Sequence, residues 1–448
     1  MNFTEDQIHK LAPKASAFTA GKKLANANRW QSLGRSKRGL WGEIKGSGKN
    51  PYMVHIDIEN LAYKCTCPSR QFPCKHSLAL LLLQSQDEQA LPMQTEPSYV
   101  AEWLDKRRNR AEKVAQTSSP LSAEESQERY KAKHKRATER EVFIQSGIED
   151  LQKWLKDMVR LGLLELPHKP ASYFTDMAAK MVDAKAPGLA AWVKALQHLP
   201  YQHTEKWQNE ALDILGKLYV LLQAYQRKTE QPPEMQATLK SLIGWNLHKK
   251  EFLSDSQTLL QKDTWLVLGS IQEELEELTV HKSWLYGLSS KRHGMIMDFE
   301  SKFASRTEVP LVDGSLLDAE LAFYPGILPH RAVVKKQRHM ATQNPDAPTF
   351  LPNWKGQHDS RTALLKQNPW ISDQAYLLAK CKLLRLGDRW ILCDEEKRYK
   401  ALCPDFPADK ILEMLMMGNN QLLDMAIVER HNGILPLGMF NPPAYISL

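Results

Sequence analysis

Long apolar runs are missing from this chain of 448 residues: the longest, around Leu78 to Leu83, falls well short of the roughly 20 residues that a membrane-spanning helix needs. Cysteine is scarce, six in all, and Cys381, Cys393 and Cys403 lie scattered near the C-terminus, where they read as apolar fillers. The start, Met1-Asn2-Phe3-Thr4-Glu5-Asp6, lacks the basic and apolar regions of a secretory leader, so a disulfide framework is not expected and a cytoplasmic location is. No repeat of fixed period is found. A phosphate loop is absent too. Gly46-Ser47-Gly48-Lys49 has Glu43 where a Walker motif places its first glycine and Asn50 where it places Ser or Thr, which leaves a hairpin turn. His281, His293, His330, His339 and His358 show no H-x-x-x-H spacing, and Asp183, Asp298 and Asp313 stand isolated, so no catalytic residue is assigned and the chain is not expected to be an enzyme.

What the chain does have is Cys65-Thr66-Cys67-Pro68-Ser69-Arg70-Gln71-Phe72-Pro73-Cys74-Lys75-His76, which puts the other three cysteines within ten positions. Three thiols and an imidazole are the complement of a closed tetrahedral Zn²⁺ site with no position left for water. On an extended strand end Cys65 and Cys67 point to one face, Pro68 and Pro73 stiffen the return, and Cys74 and His76 sit in the first turn of a helix running through Ser77 to Gln84. Leu40 to Lys45 and Tyr52 to Ile58 read as two strands before it. That helix is apolar on every face, which requires burial on both sides, against the segment Phe3 to Leu24 and the helix around Trp103.

The pattern resembles the SWIM zinc finger, defined by Cys-x-Cys, a variable spacer and Cys-x-His; the ligand role then falls on Cys65, Cys67, Cys74 and His76. Leu40-Trp41-Gly42, Gly46 through Tyr52, Cys67-Pro68-Ser69-Arg70 and Phe72 through His76 resemble the bacterial branch of that family. Its members are often encoded beside a MoxR-type AAA ATPase and a von Willebrand A domain protein, so the resemblance implies service to that machinery. A weaker resemblance extends to Met181 to Ala190 and Phe323 to Gly326.

Charge is segregated. Residues 1–84 hold 13 lysines and arginines against 5 acids, a surplus equal to the net charge of +8 for the entire chain, so the remainder is balanced. Arg35, Lys37, Arg38, Lys45 and Lys49, interleaved with Trp30, Trp41 and Tyr52, and Arg70 and Lys75 beside the cluster, are the candidate nucleic-acid contacts. Such contact would be directed at phosphates, and DNA, RNA or an acidic protein surface would each satisfy it. Trp41 is expected in the finger's core instead.

The fold class expected is α+β multidomain: a small N-terminal ββα zinc finger with its basic leader (1–84), a charged helical linker (85–140), an all-α helical bundle (141–262) and a mostly antiparallel α+β domain (263–448). Within the bundle, Val142, Ile144, Ile148, Leu151, Trp154, Leu155, Met158 and Leu161 form a helical stripe, and helices are expected over Ala171 to Asp183, Gly188 to Leu199, His203 to Gln226 and Pro233 to His248. Beyond it, short strands are expected from Thr264 to Val334, a helix over Ser372 to Leu384 and a hairpin at Arg389 to Pro404. The function expected is a Zn²⁺-binding adaptor whose finger holds nucleic acid or a protein partner; the alternative is an enzyme in the C-terminal region that the finger targets.

Overall fold

The computed structural model describes residues 3–46, 50–59, 61–69, 73–116, 123–199, 201, 207–245, 247, 249–275, 278–301, 311–339, 348–419, 421–441 and 444–448. The N-terminal region opens with α1 (Glu5–Leu11), started by a Thr4–Gln7 capping box, and α2 (Ala15–Lys22). Four antiparallel strands follow in sequential order: β1 (Trp30–Arg35), β2 (Gly39–Ile44), β3 (Tyr52–Asp57) and β4 (Ala62–Cys65), then helix α3 (Lys75–Gln86). The two expected strands are thus the middle of a wider sheet. β1 and β4 contain no β-branched residue, so their strand signal is weak.

α3 is buried from His76 through Gln84. One side packs with Leu40, Ile44, Val54 and Ile56 of the sheet; the other meets Ile8 and Leu11 of α1, while Gly21 of α2 lets the two backbones approach. Val312, from a distant loop, closes the same core, and Gln7 Nε2 donates to the Asp313 carbonyl at 3.1 Å. The finger is docked against the rest of the molecule. Contrary to the expectation from the sequence, the helix around Trp103 takes no part in covering α3. It is α4 (Ser98–Gln116), and it lies across the opposite face of the sheet, setting Val100 and Leu104 on Trp41, which is 2 % exposed. Alternation along β2 is the reason: Leu40 faces α3 and Trp41 faces α4. The rest of stretch 85–140 enters the long helix α5 (Ala123–Leu161).

α5, α6 (Ala171–Asp183), α7 (Pro187–Gln197), α8 (Trp207–Gln226) and α9 (Pro233–Leu242) build the central bundle. The α5 stripe is Ile144, Ile148, Leu151, Leu155 and Met158, all but fully buried; Val142 and Leu161 are 68 % and 59 % exposed and fall outside it. α9 stops short of the expected His248 because Gly244 turns with φ +91° and passes against Gly188, whose amide donates to the Ile243 carbonyl at 3.0 Å. A short α10 (Lys249–Ser254) leads on.

β5 (Leu259–Leu275), β6 (Leu278–Gly287), β7 (His293–Ser301), β8 (Leu316–Phe323) and β9 (Arg331–His339) close into a barrel in the order β5-β6-β7-β9-β8, with β7 and β9 parallel. This Greek-key order is that of an OB-type barrel. Trp265, Val267, Leu285, Ile296, Leu317 and Phe323 fill it. Then come α11 (Trp354–Gln367), β10 (Ala375–Leu386), β11 (Arg389–Cys393), β12 (Tyr399–Ala401), α12 (Ala408–Gly418), β13 (Leu423–Arg430), β14 (Gly433–Asn441) and β15 (Ala444–Ser447), the strands forming one sheet, β12-β11-β10-β13-β14-β15. The helix expected over Ser372 to Leu384 is a strand. Tyr376, Leu378 and Cys381 pack into the core with α11 and α12, and Ala375 and Leu377 into the core with the barrel, so a centre strand buried on both faces carries a continuous apolar run that periodicity cannot tell from a helix.

A methyl group at Gly188 would overlap the Leu242 carbonyl oxygen and crowd Ile243. Gly188→Ala, which in an open helix would stabilise, is therefore expected to cost about 1–3 kcal/mol in urea unfolding followed by bundle helicity; a gain in stability would contradict this packing.

Candidate metal centre

The four cysteine and histidine ligand atoms converge to within 4.8 Å of one another. β3 and β4 place the first pair: Val54 is opposite Cys65, the Thr66 amide donates to the Met53 carbonyl at 3.1 Å, and the Met53 amide to Thr66 Oγ1 at 2.9 Å, so the knuckle is an extension of the ladder. α3 places the second pair. Cys74 is its extended N-cap residue, its carbonyl accepting from Leu78 at 3.0 Å, and His76 follows in the first turn. His76 Nδ1 lies 3.8 Å from Cys65 Sγ and 4.0 Å from Cys74 Sγ, close to the spacing of two ligands around one tetrahedral ion; Tyr52 packs on the imidazole, ring centres 5.2 Å apart.

The electrostatics call for a cation. The hydrogen bond between Cys65 and Cys74, followed by burial, pushes the Cys65 thiol far up, and the same bond holds the Cys74 thiolate down, helped by His76 and Ser77. Burial raises Cys67 as well. Protein groups alone do not stabilise three neighbouring thiolates, whereas a divalent ion does and releases the thiol protons as it binds. Three sulfurs and one nitrogen in a closed shell suit Zn²⁺ as a structural ion, and the cluster binds it.

The proposed basic contacts are not equivalent. Lys37, Lys45 and Lys75 are exposed and Arg35 is half-buried. Lys49 and Arg70 lie outside the described residues. Arg38 is held in a fork: Nε donates to Glu96 Oε1 at 3.1 Å, Nη2 to Glu96 Oε2, and Nη1 to Asp105 Oδ1 at 2.8 Å, and these bonds raise its pKa further. Glu96 also accepts from Ser36 Oγ at 2.7 Å, and Arg107 reaches Asp57 at 3.4 Å. Together these side chains latch α4 to the sheet. Glu96 and Asp105 escape sequence reading because they lie 58 and 67 residues from Arg38. His55 is likewise recruited to the latch: it is 3 % exposed, its ring lies 4.8 Å from that of Trp103 and 5.7 Å from that of Tyr99, and burial followed by the Lys64 charge lowers its pKa to about 4.

Among family models, the one described as SWIM zinc finger matches residues 52–84, and the one described as SWIM-associated four-helix bundle domain matches residues 139–243. No curated protein and no solved structure matches the chain.

Replacing Cys67 by Ser is expected to abolish zinc retention and to strip hydrogen-exchange protection from β2, β3, β4 and α3, while α6 to α9 keep theirs; loss of protection throughout would contradict separate domain cores. Because His55 stays neutral in the fold but takes up a proton when unfolded, its contribution is complete above about pH 6.5 and is lost as pH falls toward 4, an amplitude of about 3 kcal/mol. His55→Phe should flatten that part of the stability profile relative to the parent, measured by denaturant midpoints across the window.

Proposed function

For a chain that carries a SWIM zinc finger and, downstream, the four-helix bundle associated with it, we propose a non-enzymatic adaptor. Its zinc-organised finger binds nucleic acid through exposed cations, and its later domains dock a protein partner. SWIM fingers are binding modules for nucleic acid or protein, and the observation that carries the nucleic-acid reading is charge segregation: the entire net charge of +8 belongs to residues 1–84. Lys75 adjoins two zinc ligands in sequence and Lys45 directly follows β2, and both side chains are exposed. Arg38 takes no part in this contact, since Glu96 and Asp105 already neutralise it.

The non-enzymatic reading is supported by how the polar groups of the C-terminal region are used. His281 pairs with Glu300 at 3.1 Å, His330 shares a hydrogen bond with the Leu328 carbonyl at 3.1 Å, and Lys282 sits between Glu273 and Asp373, each at 2.8 Å. Ser270 donates to Asp313 at 2.7 Å, beside the contact that docks Gln7. These pairs join strands and domains. For a protein partner, α12 offers Leu412, Leu415, Met416 and Met417, an exposed apolar face with the adaptable methionines of permissive binding surfaces. In this reading the partner is the MoxR-type AAA ATPase with its von Willebrand A companion, as the resemblance implies, and any nucleotide hydrolysis belongs to it.

The expected result for Lys45→Ala with Lys75→Ala is unchanged zinc content, weaker binding of a labelled oligonucleotide, and a salt dependence shallower by about two charges in anisotropy titrations. Arg38→Ala should leave that slope alone and lower the stability of the finger. Unchanged affinity in the double lysine variant would remove the finger from the nucleic-acid contact.

A further inference from the structure

α8 carries an apolar stripe on the side turned away from the bundle. Its inner face, with Ala211, Leu215, Leu218 and Leu222, fills the bundle core. On the opposite face Leu212, Tyr219 and Val220 are 55 %, 47 % and 48 % exposed. With Gly216 they stand at i, i+4, i+7 and i+8, the spacing that keeps four residues on one side of a helix. An exposed stripe of this kind is unfavourable in water, and a glycine inside a helix is less favourable than alanine.

Crowding explains the other helical glycines of the bundle. A methyl group at Gly147 would collide with the Ala184 side chain, and one at Gly188 with the Leu242 carbonyl. At Gly216 a Cβ would meet nothing within 4 Å among the described residues. Packing within the chain therefore gives no reason for a glycine there. A second helix laid across the stripe does, because a position without a side chain lets two backbones approach closely.

The stripe is complementary to itself. When two copies of α8 run antiparallel about Gly216, Leu212 of one lies level with Val220 of the other, and Asn209 with Gln223, so apolar meets apolar at the centre and carboxamide meets carboxamide at the ends. Asp213 and Lys217, which pair within one chain at 2.7 Å, lie along one edge of the stripe. The antiparallel arrangement brings Asp213 of each copy to the side of Lys217 of the other, so opposite charges face across the contact.

We propose that two copies of this protein associate through α8, as a two-fold antiparallel helix pair with Gly216 at the axis. One helix face buries less than the roughly 800 Å² per partner of a standard interface, so the dimer is weak and forms with rising concentration. Each dimer presents two zinc fingers and two α12 faces. The inference stands apart from the nucleic-acid reading above.

The test is sedimentation velocity of the full-length zinc-loaded protein from about 1 to 200 µM, across which the parent is expected to pass from one chain to two. Gly216→Leu puts a side chain where the fold leaves open space, so it should keep the parent's helicity and its melting midpoint at low concentration, and stay monomeric throughout. Leu212→Glu, at an exposed position, should also stay monomeric by setting a carboxylate among the apolar contacts. Asp213→Lys with Lys217→Asp exchanges the two charges and should dimerise within about threefold of the parent. Under mild oxidation Gly216→Cys should crosslink through the axis much faster than Val182→Cys, a control at an exposed position of α6. A parent that stays monomeric, a dimer that survives both Gly216→Leu and Leu212→Glu, or equal crosslinking of the two cysteine variants overturns the proposal. A dimer abolished by Met416→Glu and untouched by the α8 variants is an α12 contact, which overturns it as well.

Discussion

Coordination of one ion by four side chains joins the end of β4 to the start of α3, and the N-terminal third of the molecule is arranged around that junction. Without it, α3 has no reason to lie on the sheet at its observed place: a helix apolar on all sides has no preferred face of its own. With the ligands fixed, one side of α3 closes the sheet and the other must be covered by α1, α2 and Val312. Each buried leucine of Leu80 to Leu83 contributes about 2 kcal/mol, so metal binding and the docking of the finger on the barrel are one cooperative event.

The second constraint is the latch on the far face of the same sheet. Trp41 and His55 present a surface that α4 covers, and the fork of Arg38 with Glu96 and Asp105 sets its register. The latch sorts the basic residues: Arg38 and Arg107 are structural, whereas Lys37, Lys45 and Lys75 remain outside. A basic region that is uniform along the chain is in three dimensions a set of exposed lysines beside a neutralised latch. The same docking brings Arg338 of the barrel beside Arg35 and Lys37, giving the positive surface contributions from two domains.

Legibility in the sequence followed the range of the interactions involved. The zinc ligands were readable because Cys65, Cys67, Cys74 and His76 span twelve positions and their chemistry is carried by residue type and spacing alone. The helices of the bundle are readable because their stripes and punctuating prolines are local, although Val142 and Leu161, which fit the apolar spacing of α5, lie outside its buried stripe. β10 reads as a helix because a two-sided central strand looks like a buried helix until its neighbours are known, and β1 and β4 give little strand signal because pairing, not propensity, makes them strands.

Side-chain chemistry at short range accounts for a metal-ligating knuckle leading into a wholly apolar helix, a basic N-terminal region ahead of a balanced remainder, and the division into helical and β-rich parts, all of it legible along the chain. The fold alone settles that Arg38 is held by Glu96 and Asp105 while Lys37, Lys45 and Lys75 stay exposed, and that β5 to β9 close into an OB-type barrel with Trp284, Tyr286 and Met295 packed against the C-terminal sheet. Those features depend on charges and strands meeting across tens to hundreds of residues, and pairing at such distance is specified by packing and burial, which leave no local periodicity to read.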